Sequence, residues 1–296
     1  MKNYISICIC TYKRVKFLTK LLNNLQHQRT SGSFEYSIVV VDNDCKRSAE
    51  QTIAEFKGKS TIPISYCVEP DQNIAMARNR AVKNANGDFI AFIDDDEVPC
   101  DSWLMNLYKT CDNFHADGVL GPVIPYYNGD TPQWVLKGKF FERPNYITGE
   151  ILKWKNTRTG NVLFRRDVFD NGERQFRRKF GRGGEDTDFF KRMIGKGFRF
   201  VWCKEAPVYE AVTPERCTSS FLLKRALLRG QQPYFTSIDF AKSLVAVPLY
   251  TMALPVLLAG GYHLFMKYLI KDFDHVGRLL ALCGINVIKE NYVNSK

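Results

Sequence analysis

The first hundred residues alternate short apolar runs with amphipathic stretches. Four runs rich in apolar and β-branched residues predict strands: 5–10, 36–41, 64–68 and 88–93. Three intervening stretches carry apolar residues at helical spacing and predict helices: 15–28, 49–56 and 75–84. Because strands and helices alternate along the chain, the pattern predicts an α/β fold with a mainly parallel sheet flanked by helices.

Polar residues follow three of the predicted strands. They are the segments 11–14 (Thr-Tyr-Lys-Arg), 42–44 (Asp-Asn-Asp) and 94–97 (Asp-Asp-Asp-Glu). Ligands of parallel α/β sheets bind beyond the carboxyl ends of the strands, so these segments predict one site. No G-x-G-x-x-G follows the first strand and no G-x-x-x-x-G-K-[ST] occurs, which removes the usual support for dinucleotide or P-loop binding.

The acidic segment 94–97 places four carboxylates within a few residues, and their repulsion calls for a counter-charge. Oxygen-only ligands favour Mg²⁺ or Mn²⁺, which are commonly held by one or two carboxylates together with substrate phosphates. A plain acidic turn is the alternative interpretation, and the position after a predicted buried strand favours the metal site.

Five motifs in this order resemble those of family 2 glycosyltransferases with a GT-A fold. They are Thr-Tyr-Lys-Arg after the first strand, Val-Val-Asp-Asn, Ala-Arg-Asn, Gly-Asp-Phe-Ile-Ala-Phe-Ile-Asp-Asp-Asp-Glu, and Gly-Gly-Glu-Asp-Thr-Asp-Phe-Phe. The resemblance spans residues 3–212, and its details are similar to the bacterial succinoglycan glucosyltransferase branch, which builds surface polysaccharides on lipid carriers. It implies a Rossmann-like, mainly parallel sheet and a nucleoside diphosphate sugar, with UDP as the expected nucleotide.

The resemblance also implies roles for particular residues. It assigns nucleotide-sugar binding to a group at the predicted strand ends: Thr11, Tyr12, Arg14, Asp42, Arg78, Asp94 and Asp95. Asp94 and Asp96 match the D-x-D motif, in which the last aspartate binds the metal and the first touches ribose or metal. Relatives often add a late histidine ligand where this chain has Glu210, which would serve as a third metal ligand or pair with Arg216.

The pair Glu185 and Asp186 matches the catalytic segment of inverting members, with Asp186 as the base. A base that takes the acceptor's proton, without a protein nucleophile, predicts inversion at the sugar carbon. The alternative interpretation is that both carboxylates stabilise a helix N-terminus, and the two roles are compatible.

Composition and charge narrow the possible partners. With 296 residues, 45% hydrophobic and 25% charged, the chain is not a mainly disordered or fibrous protein. The net charge of +11 predicts attraction to anions, but no nucleic-acid-binding motif is present, so nucleic acid is not expected as a partner. The nine cysteines are scattered without a C-x-x-C pair, which favours a reducing cytoplasm over a disulfide frame or zinc site.

Residues 243–266 contain no Asp, Glu, Lys or Arg, and basic residues lie on both sides. The stretch is long enough to cross a bilayer, although Pro248, Pro255 and Gly260 would break or kink a helix there. It predicts a membrane-associated region at the cytoplasmic face of the cell membrane, and crossing, dipping in and packing away all stay open. We therefore expect a transferase domain in residues 1–215 and a helical membrane-associated region in 216–296.

Two functions fit these observations. The first is an inverting, metal-dependent transferase that acts on a lipid-linked or saccharide acceptor in surface polysaccharide biosynthesis. The second is a non-catalytic, membrane-associated subunit that binds nucleotide sugars or assists assembly. Clustered carboxylates are costly to keep in a site without turnover, so Asp94, Asp96 and Asp186 favour the enzyme.

Overall fold

The computed structural model describes residues 2–127, 129–169, 175–181, 183–232 and 235–285. The strands are β1 (Asn3–Thr11), β2 (Phe34–Asp42), β3 (Ile64–Val68), β4 (Phe89–Ile93), β5 (Glu97–Pro99), β6 (Gly118–Leu120), β7 (Val123–Tyr127), β8 (Asn161–Arg165), β9 (Phe200–Trp202) and β10 (Val208–Val212). The helices are α1 (Val15–Leu25), α2 (Glu50–Lys57), α3 (Ile74–Asn84), α4 (Trp103–Asn113), α5 (Gln133–Gly138), α6 (Glu185–Gly195), α7 (Ser219–Gly230), α8 (Ser237–Ala259) and α9 (Tyr262–Leu282).

The chain divides into two compact units. The first comprises Met1–Ile124, Arg143–Gly181 and Glu185–Glu210, and the second comprises Pro125–Glu142, Arg182–Gly184 and Ala211–Lys296. The expected division after residue 215 stays a prediction.

The first unit contains a seven-stranded sheet in the order β3-β2-β1-β4-β8-β6-β9. The pairs β1–β2, β1–β4, β2–β3 and β6–β9 are parallel, and only β8 among these strands runs antiparallel to its neighbours β4 and β6. The predicted mixed α/β fold with a mainly parallel sheet is thus confirmed. The predicted strands and helices of the first hundred residues all lie within a few residues of their positions in the structure.

Apolar residues cover both faces of this sheet, which explains the near-continuous hydrophobic strands. Ile5, Ile7 and Ile9 of β1 pack on one side with the buried faces of α1 and α4. Cys8 points to the other side, where the buried faces of α3 and α6 complete a second cluster. The alternation along β1 is the two-residue period of a strand, and it decides which of the two apolar clusters each side chain of β1 joins.

The second unit is mainly helical. Helix α9 packs against α5, α7 and α8, and aromatic residues fill part of this packing, as where the Trp134 ring lies edge-on to Tyr262. Gly260 ends α8 as predicted, whereas Pro248 and Pro255 lie inside the helix and do not break it, and the predicted kink stays a prediction. Each proline removes one backbone hydrogen bond, and packing of α8 along α9 holds the helix together.

Candidate active site

The predicted site lies at the carboxyl edge of the parallel strands. Thr11 ends β1 and is in register with Asp42, which ends the neighbouring strand β2. On the other side of β1, β4 runs parallel and ends at Ile93, so Asp94 leaves the sheet at the same edge. The parallel register thereby places side chains from distant parts of the sequence close to one another.

Arg14 and Thr11 hold the middle of the acidic segment. Thr11 Oγ1 donates to Asp95 Oδ2 at 2.7 Å, and the Arg14 guanidinium lies 3.1 Å from Asp95 Oδ1 and 3.1 Å from Asp96 Oδ2. Burial raises the pKa of Asp95, while the Arg14 cation lowers it. Both oxygens of Asp95 have partners within the protein, which supports a role in shaping the turn, and its predicted contact with the nucleotide sugar stays a prediction.

Arg78 connects the acidic segment to the predicted catalytic segment. This side chain on α3 is buried, donates a hydrogen bond to Glu185 Oε1, and approaches Asp94 Oδ1 at 3.6 Å. Glu185 is itself buried at the first turn of α6. The contact commits Glu185 to Arg78 and favours a positioning role for it, whereas the predicted catalytic role stays a prediction.

Asp186 follows at the same helix terminus and is half-buried. Its Oδ1 accepts a hydrogen bond from the backbone N–H of Thr187 at 2.7 Å. Gly183 and Gly184, with φ of 123° and 81°, adopt the left-handed backbone that leads into this turn. Asp186 therefore lies in the first turn of α6, next to this glycine-rich turn.

Asp94 and Glu97 bring carboxylate oxygens to one glycine. A Cβ built on Gly160 would lie 2.8 Å from Asp94 Oδ2 and 2.9 Å from Glu97 Oε1. Beside it, the buried Thr159 Oγ1 has no hydrogen-bond partner within the described residues. Glycine at this position therefore leaves room for two converging carboxylates and whatever they bind.

Glu97 faces a second carboxylate across a short antiparallel pair. It lies opposite Glu210 in the register of β5 and β10, and Glu210 Oε2 accepts from the Arg143 guanidinium at 2.5 Å. Burial raises the pKa of Glu97, the Asp94 and Glu210 carboxylates raise it further, and Arg143 lowers it. Glu210 thus has Arg143 as one partner, and its predicted roles as a metal ligand or a partner of Arg216 stay predictions.

Arg143 and Arg158 are two further arginines of this site that no sequence motif indicated. Burial lowers the pKa of the half-buried Arg158, as does the neighbouring Arg143. The Asp186 carboxylate raises the pKa of Arg158, so the two side chains are close enough to interact. A single arginine in a loop carries no motif, so only folding reveals that it joins this site.

Asp42 and Tyr12 occupy the neighbouring part of the strand edge. Asp42 is completely buried, and its carboxylate accepts hydrogen bonds from Ala49 N at 2.7 Å, Tyr66 OH at 3.0 Å and Asp44 N at 3.1 Å. The predicted contact of Asp42 with the nucleotide stays a prediction. Tyr12 is half-buried at the end of β1, and its predicted contact with the nucleotide stays a prediction.

The residues fit a hard divalent cation in part. Within the described ranges, no three His, Cys, Asp or Glu side chains form a ready-made metal site. Asp94 and Glu97 nonetheless converge beside Gly160 with oxygen donors only, which is the chemistry that Mg²⁺ and Mn²⁺ prefer. Such ions commonly take the remaining ligands from diphosphate and water, and the prediction of Asp96 as a ligand requires it to share its carboxylate with Arg14.

Comparisons with known proteins add to this picture. The family model "Glycosyl transferase family 2" matches residues 6–196. "Succinoglycan biosynthesis protein ExoM" of Rhizobium meliloti is 36% identical over 230 residues, which is 77% of this chain and 73% of that protein. "Chondroitin synthase" of Escherichia coli is 26% identical over 300 residues, covering 85% of this chain and 42% of that protein.

The fold also matches solved structures. The crystal structure of S. aureus TarS 1–349 in complex with UDP-GlcNAc superposes with a TM-score of 0.54 at 18% identity, covering 97% of this chain and 93% of that one. At this identity the likeness shows the fold alone, which is of the GT-A type predicted from the motifs. Together, the family match, the 36% identical relative and the shared fold confirm the resemblance: this chain belongs to the family 2 glycosyltransferases.

Proposed function

We propose that this glycosyltransferase transfers a sugar from a UDP-sugar to a lipid-linked or saccharide acceptor, with inversion at the sugar carbon and with Mg²⁺ or Mn²⁺. The placement in surface polysaccharide biosynthesis rests on the name of the Rhizobium relative, and the UDP donor on the TarS complexes with UDP and UDP-GlcNAc. The observation that carries the proposal is Arg78, which joins Asp94 of the acidic segment to the helix terminus that holds Asp186.

The reaction needs a base on the acceptor side. The acceptor hydroxyl oxygen forms a bond to the anomeric carbon as the bond from that carbon to the diphosphate oxygen breaks. Asp186 takes the hydroxyl proton, and UDP leaves with the bonding electrons. Because attack and departure occur on opposite faces in one step, the configuration inverts.

The charges of the site suit this displacement. Negative charge grows on the leaving diphosphate, and the Arg78 guanidinium beside Asp94 is a fixed positive group on that side of the site. A cation held by Asp94 and Asp96 would supply further positive charge there. Arg78 also fixes Glu185, the residue before Asp186, and so holds the base in a constant place.

The test is donor binding and turnover with purified protein. A panel of UDP-, GDP- and dTDP-sugars is offered with Mn²⁺ or with EDTA, and slow donor hydrolysis is followed alongside binding. We expect a UDP-sugar to bind and react only with metal. Asp186→Asn should retain binding and lose turnover, and Asp96→Ala should lose metal-dependent binding.

A matched control is Asp101→Asn, which changes an aspartate that is 66% exposed in a surface ion pair. It should behave as wild type. Absence of binding to every nucleotide sugar would overturn the donor assignment. Full turnover in Asp186→Asn would overturn the base assignment. Binding without turnover in the wild type would instead support the non-catalytic subunit.

A further inference from the structure

Helix α8 presents an apolar face to solvent along its whole length. Five exposed large side chains recur at helical spacing and form what we term the α8 stripe: Ile238, Val245, Leu249, Met252 and Val256. Leu244 and Leu258 are also exposed on α8, outside this stripe. Met252 and Val256 are 78% and 76% exposed. By length and composition α8 is suitable for crossing a membrane, yet almost none of it is buried within the protein. A continuous apolar face of this kind indicates an interaction surface.

The opposite face of α8 lies against α9. Ser243 Oγ is 2.9 Å from His275 Nδ1, and Thr251 Oγ1 donates to Asp272 Oδ2 at 3.2 Å. The Tyr250 ring lies 5.9 Å from that of Tyr268. These polar contacts fix the rotation of α8 about its axis, so the α8 stripe points away from α9.

Helix α9 is in turn fixed to α7. Asp274 forms two hydrogen bonds with the Arg229 guanidinium, at 2.9 and 2.8 Å. Gly277 and Gly230 allow close contact, since a Cβ on Gly277 would lie 2.5 Å from the carbonyl oxygen of Leu227. The second unit therefore has an ordered stack, with α9 between α7 and α8.

This stack decides between spanning and lying on a membrane. Helix α9 carries five formally charged residues along the length that accompanies α8: Lys267, Lys271, Asp272, Asp274 and Arg278. If α8 crossed a bilayer while packed on α9, these groups would enter hydrocarbon, where each ionised side chain is costly. An orientation in the membrane plane keeps them on the water side.

The charge of the region favours an anionic lipid surface as the occupant. Residues 219–285 contain seven Lys or Arg and three Asp or Glu. Lys242 on α8 and Lys267 and Lys271 on α9 are exposed. An apolar face combined with basic side chains is typical of helices that lie in the headgroup region and attract acidic lipids.

We infer that α8 is a monotopic membrane anchor: the α8 stripe inserts into the headgroup–acyl boundary of an anionic bilayer, and α9 and α7 stay on its aqueous side. The inference deepens the location predicted from the sequence, the cytoplasmic face of the cell membrane, and it rests on the proposed function only in placing a lipid-linked acceptor at that membrane. It does not depend on which sugar is transferred, because it concerns the second unit alone.

Vesicle flotation of the full-length protein tests the surface. Wild type should float with phosphatidylcholine–phosphatidylglycerol vesicles, less with phosphatidylcholine alone, and less in high salt. Val245→Glu combined with Met252→Glu should weaken binding at least tenfold, as expected from withdrawing two apolar side chains from the membrane. The control is Ile147→Glu in the first unit, a residue that is 73% exposed and should leave flotation unchanged.

A second measurement gives the depth of insertion without introducing charge. The exposed Cys45 and Cys283 are replaced by Ser, and an environment-sensitive fluorophore is attached to Met252→Cys or to Lys271→Cys. On addition of vesicles, the probe at position 252 should shift to the blue and resist quenching by iodide. The probe at position 271 should stay accessible to iodide.

Several results would overturn the inference. Protection of both probes would mean that the α8–α9 pair inserts as a hairpin. If the double Glu variant floats as well as wild type, the α8 stripe does not contact the membrane. If wild type does not bind lipid but forms a dimer that the double variant cannot form, the partner of the α8 stripe is a second copy of this chain. Donor hydrolysis in the absence of lipid is measured in the same samples, so that failure of the anchor is distinguished from failure of the transferase assignment.

Discussion

Replacement of Arg78 by methionine is the most direct test of how the site is assembled. The Arg78 side chain is 8% exposed, and its partner Glu185 is 6% exposed. Arg78 also lies 3.6 Å from Asp94 Oδ1. Methionine keeps much of the length and apolar stem of arginine but removes the charge, so the buried Glu185 carboxylate loses its cation.

The expected loss of stability follows from this burial. Removing one partner of a buried ion pair costs about 3–5 kcal/mol, because the other charge stays in a poorly solvated place. In a chain of this size that corresponds to a fall in Tm on the order of 10 °C. The double variant Arg78→Met with Glu185→Leu leaves no unpaired charge and should recover most of the loss, since an apolar pair of similar volume often replaces a buried ion pair without net cost.

Urea denaturation followed by circular dichroism gives the unfolding free energy of wild type, Arg78→Met, Glu185→Leu and the double variant. Calorimetry measures their UDP binding. The control is Arg47→Met, whose side chain is 59% exposed and pairs with an exposed Glu50. It should cost no more than about 1 kcal/mol. We expect the double variant to be stable but weak in donor binding, because a cation beside Asp94 is still missing.

Two results would refute this reasoning. The first is an Arg78→Met variant that unfolds at the same urea concentration as Arg47→Met, which would mean that the pair is solvated. The second is a double variant whose loss of unfolding free energy equals the sum of the losses in the two single variants, because the effects of directly interacting residues are not additive.

Three further changes have defined outcomes. Gly160→Ala should reduce turnover strongly with little change in Tm, because the new Cβ would lie 2.8 Å from Asp94 Oδ2 and 2.9 Å from Glu97 Oε1 and would displace these carboxylates. A steady-state assay that gives the kcat and KM of wild type would contradict this. Measured in EDTA, Glu97→Gln should gain stability relative to wild type as pH rises. Burial and nearby carboxylates raise the pKa of Glu97 in the folded state, so wild type loses stability when Glu97 deprotonates, whereas glutamine does not titrate. A difference in unfolding free energy between the two proteins that stays constant over pH, measured with urea, would count against this. Gly277→Ala should destabilise the second unit by about 1–3 kcal/mol, because its Cβ would press on the backbone of Leu227, and an unchanged melting curve would show that the α7–α9 crossing is loose.

The structure shows protein partners for two of the predicted site residues that the motifs did not indicate. The motif placed Asp95 among the donor-binding residues, whereas its two oxygens are taken by Thr11 and Arg14. Glu185 was predicted as catalytic together with Asp186, and it accepts a hydrogen bond from Arg78, while its catalytic role stays a prediction. A motif gives the residue types at a site, but it does not show which of two adjacent carboxylates faces inward.

The contacts that assemble the site join residues far apart in the chain. Arg78 and Glu185 are separated by 107 residues, and Arg143 and Glu210 by 67. Hydrophobic periodicity extends over one helix or strand, so it carries no information about such pairs. Arg143 in particular lies in a loop and in no recognised motif, which is why sequence reasoning missed it.

The sequence by itself determined the α/β class, the strand edge at which the polar segments meet, the family, and the presence of an apolar C-terminal helix. These properties follow from local periodicity and from the order of motifs, both of which can be recognised without knowing how the elements pack. Only the tertiary structure decided that arginines partner the acidic segment, that Glu97 faces Glu210, and that α8 turns its apolar stripe away from a charged α9. Partner choice and helix rotation depend on which surfaces meet in three dimensions, because burial and pairing energies are properties of contacts and not of residues taken one at a time.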